Sequence, residues 1–396
     1  MGAKILKAQV SSVFLPESSA LRRLPKAPGR PRPEKFTDGF EDKALIYDAF
    51  WHMDGKQVLL VCPPALNLAP HWARARFVAQ PGGQVVSAEI HAIRSTMTIA
   101  LKDVPTGTKQ IHFTFADMEF TLDIGKNLAT DFAGSRMIFT MSQNNPLDWL
   151  DTWARYHQLV HAADAAVVFD NGSSIYEPED VASALARVPG LKRVLVVSIP
   201  FKYGPHDPAV LFHRFWANFL QVSTFSILLR RFGGQAYGLL NVDIDELAAP
   251  VARSNIFEVA RQSVDGFCSM RGRWVESIAQ PTQSPSLPDH TAFRSVLKDF
   301  RHTLNARKWA LDPTREWLRD LDIHPSPHRI KNMPKEMAAR APNGLFWHFK
   351  GINNNWKESR NRQAKDSFLT HHHPELKALF EQFEAAKKDF AKKDPA

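Results

Sequence analysis

Apolar positions along this chain fall into two textures. Between Lys43 and about Asp123, short segments alternate apolar with polar residues or run through β-branched ones: ALIYDAFW, QVLLVCPP, QVVSAEIHAI, STMTIALKDV and KQIHFTFADMEFTLDI. Alternation with a period of two puts successive side chains on opposite faces of a strand. HFTFADMEFTLDI predicts a hairpin about Ala116–Met118. Several short strands at this spacing predict a β-sandwich-like module. Before it, PKAPGRPRPEK (Pro25–Lys35) is an arm that its prolines exclude from helix and central strand.

From Ser135 onward the runs lengthen. RMIFTM, AAVVFD, RVLVVSIP and AYGLLNVDIDE predict buried strands. Between them lie helical patterns. Asn145 is placed to cap the first helix and Pro146 to open it, with Leu147, Leu150, Trp153, Ala154 and Val160 at helical spacing. EPEDVASALARV sets Glu177, Glu179 and Asp180 at the positive end of a second helix. PAVLFHRFWANFLQVSTFSILLRRF predicts a long third helix. Strand–helix alternation implies an α/β unit with a parallel sheet, and ligands then bind beyond the carboxyl ends of its strands. Those ends are the polar clusters Ser142–Asn145, Asp170–Ser173, Ser198–Tyr203 and Asp243–Glu246. The tail, HHHPELKALFEQFEAAKKDFAKK, predicts an amphipathic helix with Leu376, Leu379, Phe380 and Phe383 on one side.

Composition narrows the classes. With 396 residues, 44% of them hydrophobic, the chain buries a full core and is not disordered, collagenous or coiled coil. Cys62 and Cys268 are its two cysteines, which excludes a disulfide framework and points to a reducing compartment. The formal charge of +9 favours anionic partners. Nucleic acid is not expected, because the longest basic cluster, Arg22–Lys35, is broken by prolines. No run reaches the roughly 18 apolar residues of a membrane span. The N-terminus carries no secretory pattern. A cytoplasmic location follows as the expectation. Peripheral contact with the inner face of a membrane, through the basic arm or the C-terminal helix, stays open, as does the oligomeric state.

The chemistry concentrates in NVDIDE, Asn241–Glu246. In an extended strand Asp243 and Asp245 point the same way, roughly 6–7 Å apart, within reach of one divalent cation and its waters. Two clusters precede it: FDNGSS, where Asp170 ends a strand in a turn, and TMSQNNP, where a polar loop enters a helix N-terminus. In this order the segments TMSQNNPLDWLDTWARYHQLVHAADAAVVFDNGSS and NVDIDE resemble family 2-like and family 92-like glycosyltransferases of the GT-A fold. The resemblance is good over Arg136–Glu246 and looser to Arg362. Its helix supplies Trp149, Trp153 and His157. Two positions depart from the family: Asn145 stands where a Glu is usual, and Leu247 where an aromatic is usual.

The resemblance implies a GT-A-like, mostly parallel sheet flanked by helices at residues 133–362. Residues 1–42 are then an N-terminal segment with the Pro-rich arm, 43–132 a β-rich accessory domain and 363–396 a C-terminal helix. It implies transfer of a sugar from a nucleotide-sugar donor to a glycan acceptor such as a surface polysaccharide, with Mn²⁺ or Mg²⁺. Asp243 and Asp245 would hold the ion. His324, and after it His348, is the candidate third ligand. Asn144, Asn145, Asp170, Asn171, Asp243, Lys350 and Arg360 would bind the donor. Glu246 and Glu276 are the candidate general bases, and Trp347, Phe349 and Trp356 candidate stacking surfaces. A non-catalytic carbohydrate-binding or scaffold protein on a degenerate transferase core is the alternative. A nucleotidyltransferase shares the acidic pair but needs a Gly-rich phosphate loop, which the segment Ser142–Asn145 does not supply.

Overall fold

The apolar runs after Ser135 form the centre of a nine-stranded sheet in a computed structural model that describes residues 2–252, 254–280, 287–298, 304–354 and 370–393. Its strands are β1 (Lys4–Leu6), β2 (Arg136–Ser142), β3 (Ala165–Asp170), β4 (Arg193–Ser198), β5 (Gly238–Asn241), β6 (Glu246–Ala248), β7 (Phe267–Val275), β8 (Leu304–Leu311) and β9 (Asn343–Phe349). Their spatial order is β1-β4-β3-β2-β5-β8-β7-β9-β6. The strands from β1 to β5 in that order are mutually parallel. β8 runs antiparallel to β5 and β7, β9 parallel to β7, and β6 antiparallel to β9. The sheet is thus mixed but mostly parallel, as the alternation predicts.

Both faces of the sheet are covered, so its strands are apolar at nearly every position. Ile138, Val168 and Leu240 face a core built with α1 (Leu147–His161) and α2 (Pro178–Ala186). Met137, Phe139, Val167 and Leu239 face a second core that includes α3 (Phe219–Ile227). The first core also takes α4 (Ile256–Gln262) and α5 (Pro374–Lys393). α5 seats Leu376, Phe380 and Phe383 there, so the apolar side that the sequence left open for a membrane is used inside the fold. Among the described residues, no helix is long and apolar enough to cross a membrane.

Three local expectations change. α1 begins at Leu147 with Pro146 as its cap residue, while the Asn145 side chain turns back to donate to Ser142 Oγ at 2.8 Å. The long third helix is only its second half: α3 starts at Phe219 and passes into a π-helical turn at Leu228–Gly233. The first half instead bends around Asp207, whose carboxylate accepts from Arg30 at 2.7 Å and from the Trp216 indole at 2.9 Å. The Pro-rich arm ends in a short helix, Glu34–Gly39, opened after Pro33.

The N-terminal strands form a seven-stranded antiparallel sheet. The hairpin at Ala116–Asp117 is present, both turn residues having positive φ. One strand, Arg76–Gln80, was not anticipated; only three apolar residues, Phe77 to Ala79, stand between Arg76 and Gln80, and Phe77 and Ala79 face inward. The sheet is not a sandwich of two layers but curls toward closure: Gly125 N–H donates to the Ala49 carbonyl at 2.8 Å, joining its outer strands. One face packs inside the curl, with Leu60, Ile99 and Phe113. Leu59, Val61 and Phe50 alternate outward onto the second core of the large sheet.

Candidate active site

Strand order reverses between β2 and β5: β3 and β4 lie on one side of β2 and β5 on the other. In open α/β sheets such a reversal opens a crevice beyond the carboxyl ends. The acidic segment lies there. It is not extended, however. After Asn241 the chain turns, with Glu246 N–H donating to the Asp243 carbonyl at 3.0 Å and Asp243 N–H donating to Glu246 Oε2 at 2.8 Å. Asp243 and Asp245 therefore lie on a turn instead of standing two apart on an extended strand.

Lys308 on β8 accounts for the turn. Its Nζ lies 2.8 Å from Asp243 Oδ2 and 2.9 Å from Glu246 Oε2. Lys308 and Glu246 are both buried. Burial opposes the Lys308 charge, yet the two carboxylates raise it above the ordinary lysine range. Burial pushes the Glu246 carboxyl up to about 7 against the pull of Lys308.

The other half of the site comes from strand register. Glu246 on β6 stands opposite His348 on β9, and His348 opposite Trp274 on β7. His348 Nε2 lies 2.9 Å from Asp245 Oδ2, its Nδ1 lies 3.7 Å from Glu246 Oε1, and its ring stacks on Trp274 at 4.0 Å between centroids. Asp245, Glu246 and His348 each offer a donor atom within 4.8 Å of the others. Next along the same strands, Lys350 Nζ donates to both oxygens of Glu276, at 2.7 and 2.9 Å.

Backbone clamps hold the turn. His290 Nε2 donates to the Ile244 carbonyl at 2.7 Å and Phe349 N–H to the Asp245 carbonyl at 2.8 Å. Ala248, just beyond, is gripped from α1. Its carbonyl accepts from Tyr156 Oη at 2.8 Å and from His161 Nε2 at 3.0 Å, and its N–H donates to His157 Nε2 at 3.1 Å.

The loops after β2 and β3 wall the crevice. Asp170 is buried and its oxygens accept from Ser173 Oγ at 2.5 Å and from the Gly172 and Ser173 N–H groups. Asn171 donates to the Ile199 and Phe201 carbonyls. Asn144, at positive φ, exchanges hydrogen bonds with Ser174 across the two loops. Asp170 and Asn171 thus shape the loop, and Asn144 stands at its rim. His324 lies apart from the acidic turn, buried in a hairpin of Ser326, with its imidazole pushed down to about 4 by burial first and Arg230 second. Register brings His348, the second choice of the sequence reading, beside Asp245 and Glu246, and does not bring His324, the first, to them. Trp347 and Phe349 are buried in the core, which removes them as sugar-stacking surfaces. Arg360 and Trp356 lie outside the described residues.

Sequence reasoning missed Lys308, Trp274 and His290. The signal for Lys308 was legible: a lone lysine enters the apolar run KWAL, where a buried cation requires an acidic partner.

No family model matches the chain, and no curated protein matches it. Among solved structures, the chain is similar to GalNAc-T7 crystallised with UDP, GalNAc and Mn²⁺, at 11% identity and a TM-score of 0.30. That likeness covers 69% of this chain and 60% of the other, less than two thirds of it. The α/β assignment stands on the strand order and register described above.

Proposed function

We propose that the chain is a metal-dependent glycosyltransferase that moves a sugar from a nucleotide-sugar donor to a glycan. The observation that carries this reading is the acidic turn, with His348 beside it, at the carboxyl end of the strand where sheet order reverses. Two carboxylates and one imidazole suit a divalent ion, and the nitrogen donor favours Mn²⁺ over Mg²⁺. Bound there, the ion would offset the charge of a diphosphate leaving group.

The chain's own residues supply the rest. Lys308 fixes Asp243 and the Oε2 oxygen of Glu246, which leaves Asp245, His348 and Glu246 Oε1 for the ion. Lys350 is positioned to exchange its contact with Glu276 for a phosphate oxygen. Glu276, released, would take the proton of the acceptor hydroxyl in an inverting transfer. Asn144 and the Ser173–Ser174 backbone border the space for the nucleoside.

The test is thermal unfolding with nucleoside diphosphates and nucleotide sugars, with and without Mn²⁺. A ligand at about 100 times its Kd stabilises by roughly 2.7 kcal/mol. The expected result is a Mn²⁺-dependent shift with one nucleotide, lost in Asp245→Asn combined with His348→Ala. One observation favours the non-catalytic alternative: the Lys308 ammonium already neutralises the acidic turn. Absence of any nucleotide shift from a folded sample would select that alternative.

A further inference from the structure

A cavity of about 610 Å³ opens at the same end of the sheet, outside the acidic turn. Five segments build it: the Pro-rich arm at Lys26–Arg30, the hairpin tip Arg94–Ser95 of the curled sheet, the Val210–Trp216 loop, the start of α3 at Asn218–Val222, and the hairpin Ser326–Lys331. Among the described residues, Lys26, Arg30, Arg94, Arg329 and Lys331 line it and no Asp or Glu does. Arg30 is paired with Asp207. Among the described residues, Arg94, Arg329 and Lys331 form no ion pair. Burial, with the like charges of Arg329 and Arg94, lowers the Lys331 ammonium from its ordinary range. Cations gathered this way hold a positive field that an anion relieves.

The remaining lining specifies what carries the anion. Phe215 is 49% exposed and Phe212 79%, beside the Trp216 indole. These are open apolar faces in a basic pocket. Asn218, 8% exposed, lines the cavity with a buried Oδ1 that accepts no hydrogen bond among the described residues. That oxygen calls for a donor such as a hydroxyl. The volume lies in the range of small-ligand sites, about 300–1,000 Å³, and not of a groove that tracks a polymer.

We propose that this cavity binds an anionic saccharide. Its carboxylate or phosphate meets Arg94, Arg329 and Lys331, a hydroxyl donates to Asn218 Oδ1, and its apolar ring face lies on the exposed aromatics. The cavity is tied to the acidic turn: the Pro327 carbonyl on its wall accepts from Asn241 Nδ2 at 2.7 Å, and Asn241 ends the strand that leads to Asp243. The assignment of this saccharide as the acceptor rests on the transferase reading; its binding does not.

The experiment is calorimetric titration of the full chain, without metal or nucleotide. The ligands are a galacturonic acid trisaccharide, glucose 6-phosphate, a neutral galactose trisaccharide and inorganic phosphate. At least one of the two acidic sugars is expected to bind roughly tenfold or more tightly than both controls, the preferred one naming the acidic group. Arg94→Ser with Lys331→Ser, both away from the core, is expected to weaken that binding by roughly tenfold or more. Asn218→Ala provides a second variant that leaves the cations in place and removes the hydroxyl partner. Binding of neither acidic sugar, equal binding of bare phosphate or of the neutral sugar, or an unchanged affinity in both variants would overturn the proposal. So would tighter binding of an oligoribonucleotide or of anionic phosphatidylglycerol vesicles. Asp245→Asn with His348→Ala is expected to leave the sugar titration unchanged, which separates failure of this site from failure of the donor site.

Discussion

Lys308 decides the shape of the acidic turn, and its removal isolates that effect. Lys308→Met strands the buried Glu246 carboxylate, and breaking a buried pair this way costs about 3–5 kcal/mol. The cost depends on pH. The Glu246 carboxyl sits at about 7 when folded, against 4.5 for the ordinary group. Between those values the folded chain binds the extra proton, so this group's contribution declines as pH rises. Without Lys308 the penalty for ionising Glu246 grows, and urea unfolding is expected to show a larger loss at pH 8 than at pH 5.5. Equal losses at both values would mean that Glu246 does not carry the effect. Glu276 allows a different separation. Glu276→Gln keeps the side-chain volume and, on the proposed function, removes the base together with the charge that pairs with Lys350. Turnover is expected to fall by about 10²–10⁴-fold while the Mn²⁺-dependent nucleotide shift persists. Loss of both would place Glu276 in donor binding.

The elements around the turn explain why it stays in place. In α1, each ring nitrogen of His157 and His161 faces one backbone donor or one acceptor. His157 meets the Trp153 carbonyl and Ala248 N–H, and His161 meets the Ala248 carbonyl and Ile256 N–H. Both rings are therefore neutral in the fold. Burial lowers His161 to about 4 and holds His157 well below the ordinary imidazole range. The unfolded chain takes up these protons first as pH falls, so stability is intact above about 6.5 and lost progressively toward about 4. Denaturant midpoints measured between pH 7.5 and 4.5 are expected to fall across that window, and less steeply in His161→Gln, which keeps the donor to Ala248. An unchanged slope would remove His161 from the clamp. The same elements show what sequence could reveal. AAVVFD and RVLVVS were readable as strands because a sheet covered on both faces leaves a local apolar run. The capping box of Glu177 and Asp180 is equally local. The length of α3 was not readable, because the bend before it depends on Arg30, 177 residues from Asp207. Nor was the acidic turn, whose geometry depends on a cation from β8. His348 was nameable as a candidate, but only strand register brings it opposite Glu246.

At the scale of the molecule, the N-terminal third is laced into the α/β sheet and does not merely adjoin it. β1 pairs with β4 as an edge strand, so residues assigned by sequence to an N-terminal segment complete the large sheet. Tyr47, Phe50, Leu59 and Val61 cover the face that holds Phe139 and Phe225. A buried ion pair pins the junction: Arg231, within the π-helical turn, lies 2.7 Å from Asp48. The same guanidinium donates to the Gln9 and Lys126 carbonyls. Burial raises the Asp48 carboxyl from its ordinary range, so the ionised acid depends on Arg231. Arg231→Met is expected to cost about 3–5 kcal/mol. Because the pair joins the curled sheet to the helical layer of the α/β part, calorimetry is expected to show a single transition that moves as a whole. Two transitions, with only one of them shifted, would mean that the curled sheet and the α/β sheet unfold independently. The fragment 133–362 tests the same point from the other side. It lacks β1, the Asp48 partner and the part of the second core that Tyr47, Phe50, Leu59 and Val61 supply, leaving α3 as a partial cover of that face. It is expected to show helical circular dichroism without a cooperative thermal transition. A sharp transition near that of the full chain would establish the α/β part as autonomous, and would make the curled sheet an accessory to the candidate site instead of part of the core that supports it.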